Sequence, residues 1–266
     1  MEKITSTQNP KIKSIARLKK RSERDETRTF LIEGYRELKR ALEGEVEIEA
    51  LLFCEELFLK NQERELIEAA AAGGAELFAV GEPPFRKLSY RDRPEGLLAV
   101  AKMWECTLSD LCFKKGKPPF LLLAESIEKP GNLGSILRSS DAAGVDGVIV
   151  CDPLTDIYNP NVVRSSVGTL FTQRVIEASS EEAFAFLRAH QIPLVASTPS
   201  ADLEFTKAPL QGPIALAVGT EQLGLSKRWL DEADLLVRIP MHGAADSLNV
   251  TAATTLLLYE VLRQRK

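Results

Sequence analysis

The 266-residue sequence predicts an α/β protein of two units, the second built on a parallel sheet. Three observations predict it. Strand-like and helical patterns alternate from residue 46 to the end, the signature of a parallel α/β layer. Residues 120–124 form an unbroken apolar run, the mark of a strand buried on both faces. Between 104 and 118 periodicity lapses, and Lys114-Lys115-Gly116-Lys117-Pro118-Pro119 is charged and rich in turn residues. These divide the chain into a domain at 1–103, a linker at 104–118 and a domain at 119–266.

Each element follows from its local pattern. Residues 8–21 read as a helix with Ile12, Ile15, Ala16 and Leu18 on one face and Lys or Arg on the rest. A second helix runs from 34 to 42. Strands are expected at 46–53, 76–80 and 96–103, with helices at 55–72 and 83–88. The Ala-rich stretch at 69–72 stops at Gly73-Gly74. The second domain alternates strands at 120–124, 147–151, 174–176, 193–197, 213–218 and 235–239 with helical segments near 134–143, 160–168, 180–190 and 226–232. A final helix spans about 247–263.

Composition narrows the function. The hydrophobic fraction is 44% and the charged fraction 27%, ordinary globular values. No apolar run reaches the roughly 18 residues of a membrane span, and the start of the chain lacks a signal-peptide core. A cytoplasmic protein is expected. Four cysteines without a C-x-x-C pair and two distant histidines speak against a zinc module and a disulfide framework, so no metal is expected. The net charge of −4 hides an asymmetry. Residues 1–28 carry nine Lys/Arg against four acids, whereas residues 31–76 carry twelve Glu against five Lys/Arg. A basic arm on an acidic protein suits a polyanion, because each neutralised phosphate releases counterions; it also suits a solvated helix face.

Ligands of open α/β sheets bind beyond the carboxyl ends of the strands, so the turns that follow apolar strands are the places to search. The first such turn is Glu128-Lys129-Pro130-Gly131-Asn132-Leu133-Gly134-Ser135-Ile136-Leu137-Arg138. Its glycines permit close approach of a ligand, and the helix behind it offers free N–H groups. It reads equally as a plain turn with Asn132 as cap and Arg138 on the surface. The second is Gly219-Thr220-Glu221-Gln222-Leu223-Gly224-Leu225-Ser226. This spacing mimics a P-loop, but Leu225 stands where the phosphate-binding Lys belongs and Glu221 repels phosphate, which excludes a nucleotide hydrolase. The third runs from Ile239 to Val250, with Ser247 or Asp246 as the expected cap of the final helix and Asn249 given a polar task in its first turn.

In this order and spacing the three clusters resemble the signature motifs of the SpoU/TrmH family of RNA ribose methyltransferases, in the SPOUT superfamily. Motif one, N-x-G-x-x-x-R, stands at Asn132–Arg138. Motif two, G-x-E-x-x-G-L, stands at Gly219–Leu225. Motif three, I-P-M-x-G-x-x-x-S-L-N-V, is unbroken from Ile239 to Val250. Residues 160–168 resemble the segment between motifs one and two. Residues 1–100 resemble, more loosely, the family's RNA-binding domain of the ribosomal L7Ae/L30 type. Ser140 stands where many members carry Ala, and Thr220 where many carry Asn.

The resemblance implies S-adenosylmethionine as methyl donor, a ribose 2′-hydroxyl as acceptor, a C-terminal trefoil knot and a homodimer. It implies an active-site set of Asn132, Arg138, Glu221, Ser247 and Asn249. It implies donor contacts from Thr198, Gly219, Glu221, Leu223, Gly224, Ile239, Met241, Leu248 and Val250. With such a domain behind it, the basic arm becomes an RNA contact through Lys11, Lys13, Arg17, Lys19, Lys20 and Arg21, with Arg138 and Arg164 as further phosphate ligands. A guanidinium does not readily lose a proton, so Arg138 is expected to grip a phosphate and orient the hydroxyl rather than act as base. Ribosomal RNA is the favoured substrate. Transfer RNA is the near alternative, and a non-catalytic RNA-binding protein on the same fold is the other class.

Overall fold

The computed structural model describes residues 3–113 and 115–266. Met1, Glu2 and Lys114, the last inside the expected linker, lie outside the described residues. The chain divides into two compact units, residues 1–104 with 156–172, and residues 105–155 with 173–266. A short stretch between two strands of the second unit is therefore built into the first.

The first unit holds a four-stranded sheet in the order β1-β4-β2-β3. β1 (Thr29–Glu33) pairs antiparallel with β4 (Leu97–Lys102), which pairs antiparallel with β2 (Ile48–Phe53); β2 runs parallel to β3 (Glu76–Ala79). β1 is not assigned by the sequence pattern, because all five of its residues are buried and no alternation marks it. The single helix expected at 8–21 is two helices. α1 (Pro10–Arg17) buries Ile12 and Ile15 and starts on the Asn9 side chain. Its end tightens, with the N–H groups of Leu18, Lys19 and Lys20 donating to carbonyls three residues back. The buried Arg24 guanidinium, on α2 (Arg21–Thr27), then takes the carbonyls of Leu18 and Lys19 at 2.9 and 3.1 Å. α3 covers Tyr35–Glu43. The helix expected at 55–72 is also broken. A 3-10 turn at Glu55–Leu57 precedes α4 (Glu63–Ala72), and between them Lys60 is left-handed and the Glu63 carboxylate accepts the Leu59 N–H at 2.9 Å. α5 is Glu82–Leu88.

Residues 156–172 join this unit through a buried ion pair and an aromatic cluster. Asp156 accepts from Arg24 at 2.7 Å, with side chains 9% and 1% exposed. Phe30, Trp104, Tyr158 and Phe171 stack with centroids 4.9 to 6.1 Å apart. α7 (Pro160–Ser165) is capped by Asn159 and packs on β1.

The second unit is a six-stranded, wholly parallel sheet in the order β10-β8-β9-β5-β6-β7. Its strands are β5 (Phe120–Glu125), β6 (Gly147–Cys151), β7 (Val175–Ala178), β8 (Leu194–Ser197), β9 (Ile214–Val218) and β10 (Leu235–Val237). Every residue of β5 is buried, as its apolar run demands. α6 (Pro130–Ala143) begins at its proline, one turn earlier than expected, so Asn132 lies inside the first turn and is not a cap. α8 is Ser180–Ala189 and α9 Lys227–Glu232. α10 (Val250–Gln264) is capped by Asn249, whose side chain accepts the Thr251 N–H at 3.0 Å. This corrects the expected cap at Ser247 or Asp246, which stand in the exposed stretch before the helix. No helix among the described residues is long and apolar enough to cross a membrane.

Removing one partner of a buried ion pair leaves the other charge stranded. Arg24→Ala should lower unfolding free energy by about 3–5 kcal/mol in urea titration. Arg17→Ala, from an exposed pair with Glu23, should cost at most about 1 kcal/mol. Equal effects from the two would contradict the assignment.

Candidate active site

Four neighbouring parallel strands, β10, β8, β9 and β5, end on one side of the sheet, and each feeds a loop that carries expected site residues. β5 leaves toward β6 while β9 leaves in the other direction, toward β10. The crevice between their carboxyl ends is thus the switch point where open sheets bind ligands.

The loops after β5 and β9 are tied across this crevice by one carboxylate. Glu221 accepts the backbone N–H groups of Glu128 and Lys129, each at 3.2 Å, and the Asn132 side-chain amide at 2.7 Å. Burial pushes its pKa up, but the hydrogen bond from Asn132, with those from its own backbone and from Glu128 and Lys129, outweighs burial and holds the carboxyl below the usual range. The motif-two loop itself is a tight elbow. Thr220 and Gly224 exchange backbone hydrogen bonds at 3.0 and 3.1 Å, and Gly224 is left-handed at φ +71°. A Cβ on Gly219 would meet the Gly224 backbone at 2.2 Å, so only glycine fits there. Leu225 packs into the core, which explains structurally why this turn presents no P-loop cation.

Motif three joins through the same asparagine. Asn249 donates to the Asn132 side-chain oxygen at 3.3 Å, and the Thr251 hydroxyl donates to the Asn132 carbonyl at 3.4 Å. Two turns further along α6 and one along α10, the hydroxyls of Ser139 and Thr255 pair at 2.8 Å, fixing α6 on α10. Asn132, Glu221 and Asn249 therefore form one hydrogen-bonded chain. Arg138 is exposed on α6 and Ser247 is exposed in the motif-three loop, each without a side-chain partner among the described residues.

The residues expected at the donor lie on the ends of the same strands. The Thr198 N–H donates to Val237 at 2.9 Å, which fixes the end of β8 beside that of β10 and the following Ile239. Leu223 is 90% exposed and Leu248 38%; Ile239 and Met241 are half-buried, and Val250 is buried at the head of α10. Beyond the expected set, the amides of Glu128 and Lys129 and the hydroxyl of Thr251 belong to this network. Backbone donors carry no signal in a sequence, and Thr251 sits just past motif three.

The expected RNA contacts of the first unit fall into two groups. Lys13, Arg17, Lys20 and Arg21 are exposed, with Arg17 and Arg21 beside Glu23 and Asp25 at 3.3 and 3.6 Å. Lys11 and Lys19 are half-buried staples. Lys11 pairs with Glu76 and lies over Phe78, and Lys19 donates to the carbonyls of Lys87 and Ser89 over the Tyr90 ring. Arg164 is exposed on α7.

The carboxyl of Glu221 tests the network. A depressed folded pKa gives stability that is present above the ordinary carboxylate pKa and lost as pH falls through the folded value. Asn132→Ala removes the principal donor, so the Glu221 titration followed by NMR should move up and this stability should fade at a higher pH. An unmoved titration would contradict the assignment.

Known proteins are similar to this chain along nearly its whole length. The SpoU rRNA Methylase family profile matches residues 119–259, and the MRM3-like substrate binding domain profile matches residues 9–99. A 23S rRNA (uridine(2479)-2′-O)-methyltransferase of Streptomyces viridochromogenes is 33% identical over 94% of this chain and 88% of its own. A crystal structure of an RNA 2′-O ribose methyltransferase superposes with a TM-score of 0.88 at 45% identity, covering 99% of both chains. An AdoMet-bound rRNA methyltransferase from Sinorhizobium meliloti does so with a TM-score of 0.88 at 30% identity, covering 98% of this chain and 97% of its own. The chain belongs to the SpoU rRNA methylase family.

Proposed function

We propose that this protein transfers a methyl group from S-adenosylmethionine to a ribose 2′-hydroxyl of ribosomal RNA. The observation that carries the reading is the Asn132 junction, which unites all three motifs in a chain whose relatives are named as 2′-O-methyltransferases.

The chemistry of the loops fits the donor. They offer an ionised carboxylate, neutral amides, exposed Leu223 and Leu248 and half-buried Ile239 and Met241, with no cation between 219 and 226. Open space surrounds the position of a Cβ at Gly131 and at Gly243. Thr198, Gly219, Leu223, Gly224, Ile239, Met241, Leu248 and Val250 would hold the group. When bound, it supplies a methyl already electrophilic on sulfonium, so the protein's task is alignment and help with one proton. Alignment can contribute up to roughly 7–11 kcal/mol. Glu221 spends its oxygens on three donors and holds the loops. Arg138, with no internal partner among the described residues, grips an RNA phosphate bidentately and orients the hydroxyl. Ser247 and Asn249 position substrate by neutral hydrogen bonds.

The first unit supplies the RNA contact through the exposed Lys13, Arg17, Lys20 and Arg21, with Arg164. Lys11 and Lys19 support that surface from below. Three further features complete the reading. The path from edge strand β10 back to α10, which packs on α6, suits a trefoil knot. Exposed Leu256 and Tyr259, one turn apart on α10, suit a homodimer, which sedimentation of the chain would read as twice the monomer mass. A ribosomal RNA substrate suits a cytoplasmic protein.

Mapping ribose methylation across ribosomal RNA from cells with and without this protein should reveal one modification that disappears with it. An unchanged map would contradict the proposal. Each phosphate contact contributes about 0.7–0.9 to the slope of log affinity against log salt. Lys13→Ala with Arg17→Ala should therefore lower that slope by about 1.4–1.8. An unchanged slope would exclude this face as the phosphate contact.

A further inference from the structure

A second carboxylate meets the chain just after the motif-two elbow. Glu125 is the last residue of β5, is 7% exposed and accepts the Ser226 N–H at 2.8 Å. Ser226 follows the elbow after Leu225 and directly precedes α9, and its own side chain makes no capping bond. α9 is in turn seated by Trp229, 1% exposed, whose indole N–H donates to the Ser180 hydroxyl at 2.8 Å. The two loops thus hold each other reciprocally. Glu221 reaches from the β9 loop to the amides after β5, and Glu125 reaches from the end of β5 to the amide that closes the β9 loop.

A carboxylate acceptor makes a hydrogen bond roughly twice as strong as a neutral one. The bond fixes the outgoing limb of residues 219–224, whose incoming limb is fixed by Glu221. The Thr220–Gly224 bonds keep the elbow closed, so loss of either limb lets it shift as a body, carrying Leu223 and Gly224 with it.

We propose that Glu125 is a positioning residue for methyl-donor binding, acting through the Ser226 amide and not by touching the donor; this rests on the reading that residues 219–224 bind S-adenosylmethionine. Glu125→Ala should weaken S-adenosylmethionine binding about tenfold in calorimetry without RNA, the size expected for one lost charge-assisted bond. The KM for the donor should rise in step, while kcat at saturating donor stays within about twofold. Glu125→Gln, whose amide oxygen accepts the same N–H, should stay within about threefold of the parent.

Ser226→Pro deletes the donor from the other side, and the Ser226 φ of −64° suits proline. It should match Glu125→Ala, and the double variant should be no weaker than either single change. Donor affinity within twofold of the parent in Glu125→Ala, equal losses in the Gln and Ala variants, or additive effects in the double variant would each overturn the proposal. If Glu125→Ala fails to fold, Ser226→Pro decides on the same scale. If the parent itself takes up no S-adenosylmethionine, the functional reading fails instead. Amide hydrogen exchange over 219–227 then still reads the clasp: faster in Ser226→Pro and Glu125→Ala than in Glu125→Gln supports it, and equal rates refute it.

Discussion

The hydrogen bonds of Glu221 across the carboxyl ends of β5 and β9 are the constraint on which the site depends. A parallel sheet sends the chain away on opposite sides at its switch point, and nothing in the strand ladder holds the two departing loops together. One carboxylate with three donors does so here, and Asn132 extends the tie to the stretch before α10. The sequence separations are 89 residues from Asn132 to Glu221 and 117 to Asn249, so these contacts exist only once the sheet has formed.

The same tie bears on the proposed role of the acidic residue. A carboxyl pulled below its usual range by neutral amides is a fixed acceptor, unsuited to collecting a proton at neutral pH. This supports the positional role proposed for Glu221 and the charge recognition proposed for the exposed Arg138. The arrangement matches a reaction whose methyl group arrives activated and whose barrier falls mainly through alignment.

Much of this was legible in the residues themselves. The apolar run at 120–124 gave the buried central strand, and the Gly-cornered turns after apolar strands gave the loops that meet. Motif three was the most specific part of the family resemblance, because all eight of its specified residues stand within twelve positions. Other features left no local mark. β1 is buried along its whole length, so no alternation exposes it. Residues 156–172 join the first unit because Asp156 meets Arg24 over 132 positions, a pairing that local patterns do not encode. Lys11 and Lys19 share the charge of their neighbours, yet Phe78, Tyr90 and backbone carbonyls draw them inward. Asn249, singled out for a polar task, also caps α10, since an extended approach leaves the asparagine as the last side chain able to reach the Thr251 amide.

The loops after β5, β9 and β10 are proposed to form one site for an adenosyl sulfonium. Calorimetric titration of the protein with S-adenosylmethionine, without RNA, tests it directly. The account predicts saturable uptake that disappears in Gly219→Ala, where a methyl group would collide with the Gly224 backbone. No uptake by the parent protein, or uptake undiminished by that substitution, would contradict it.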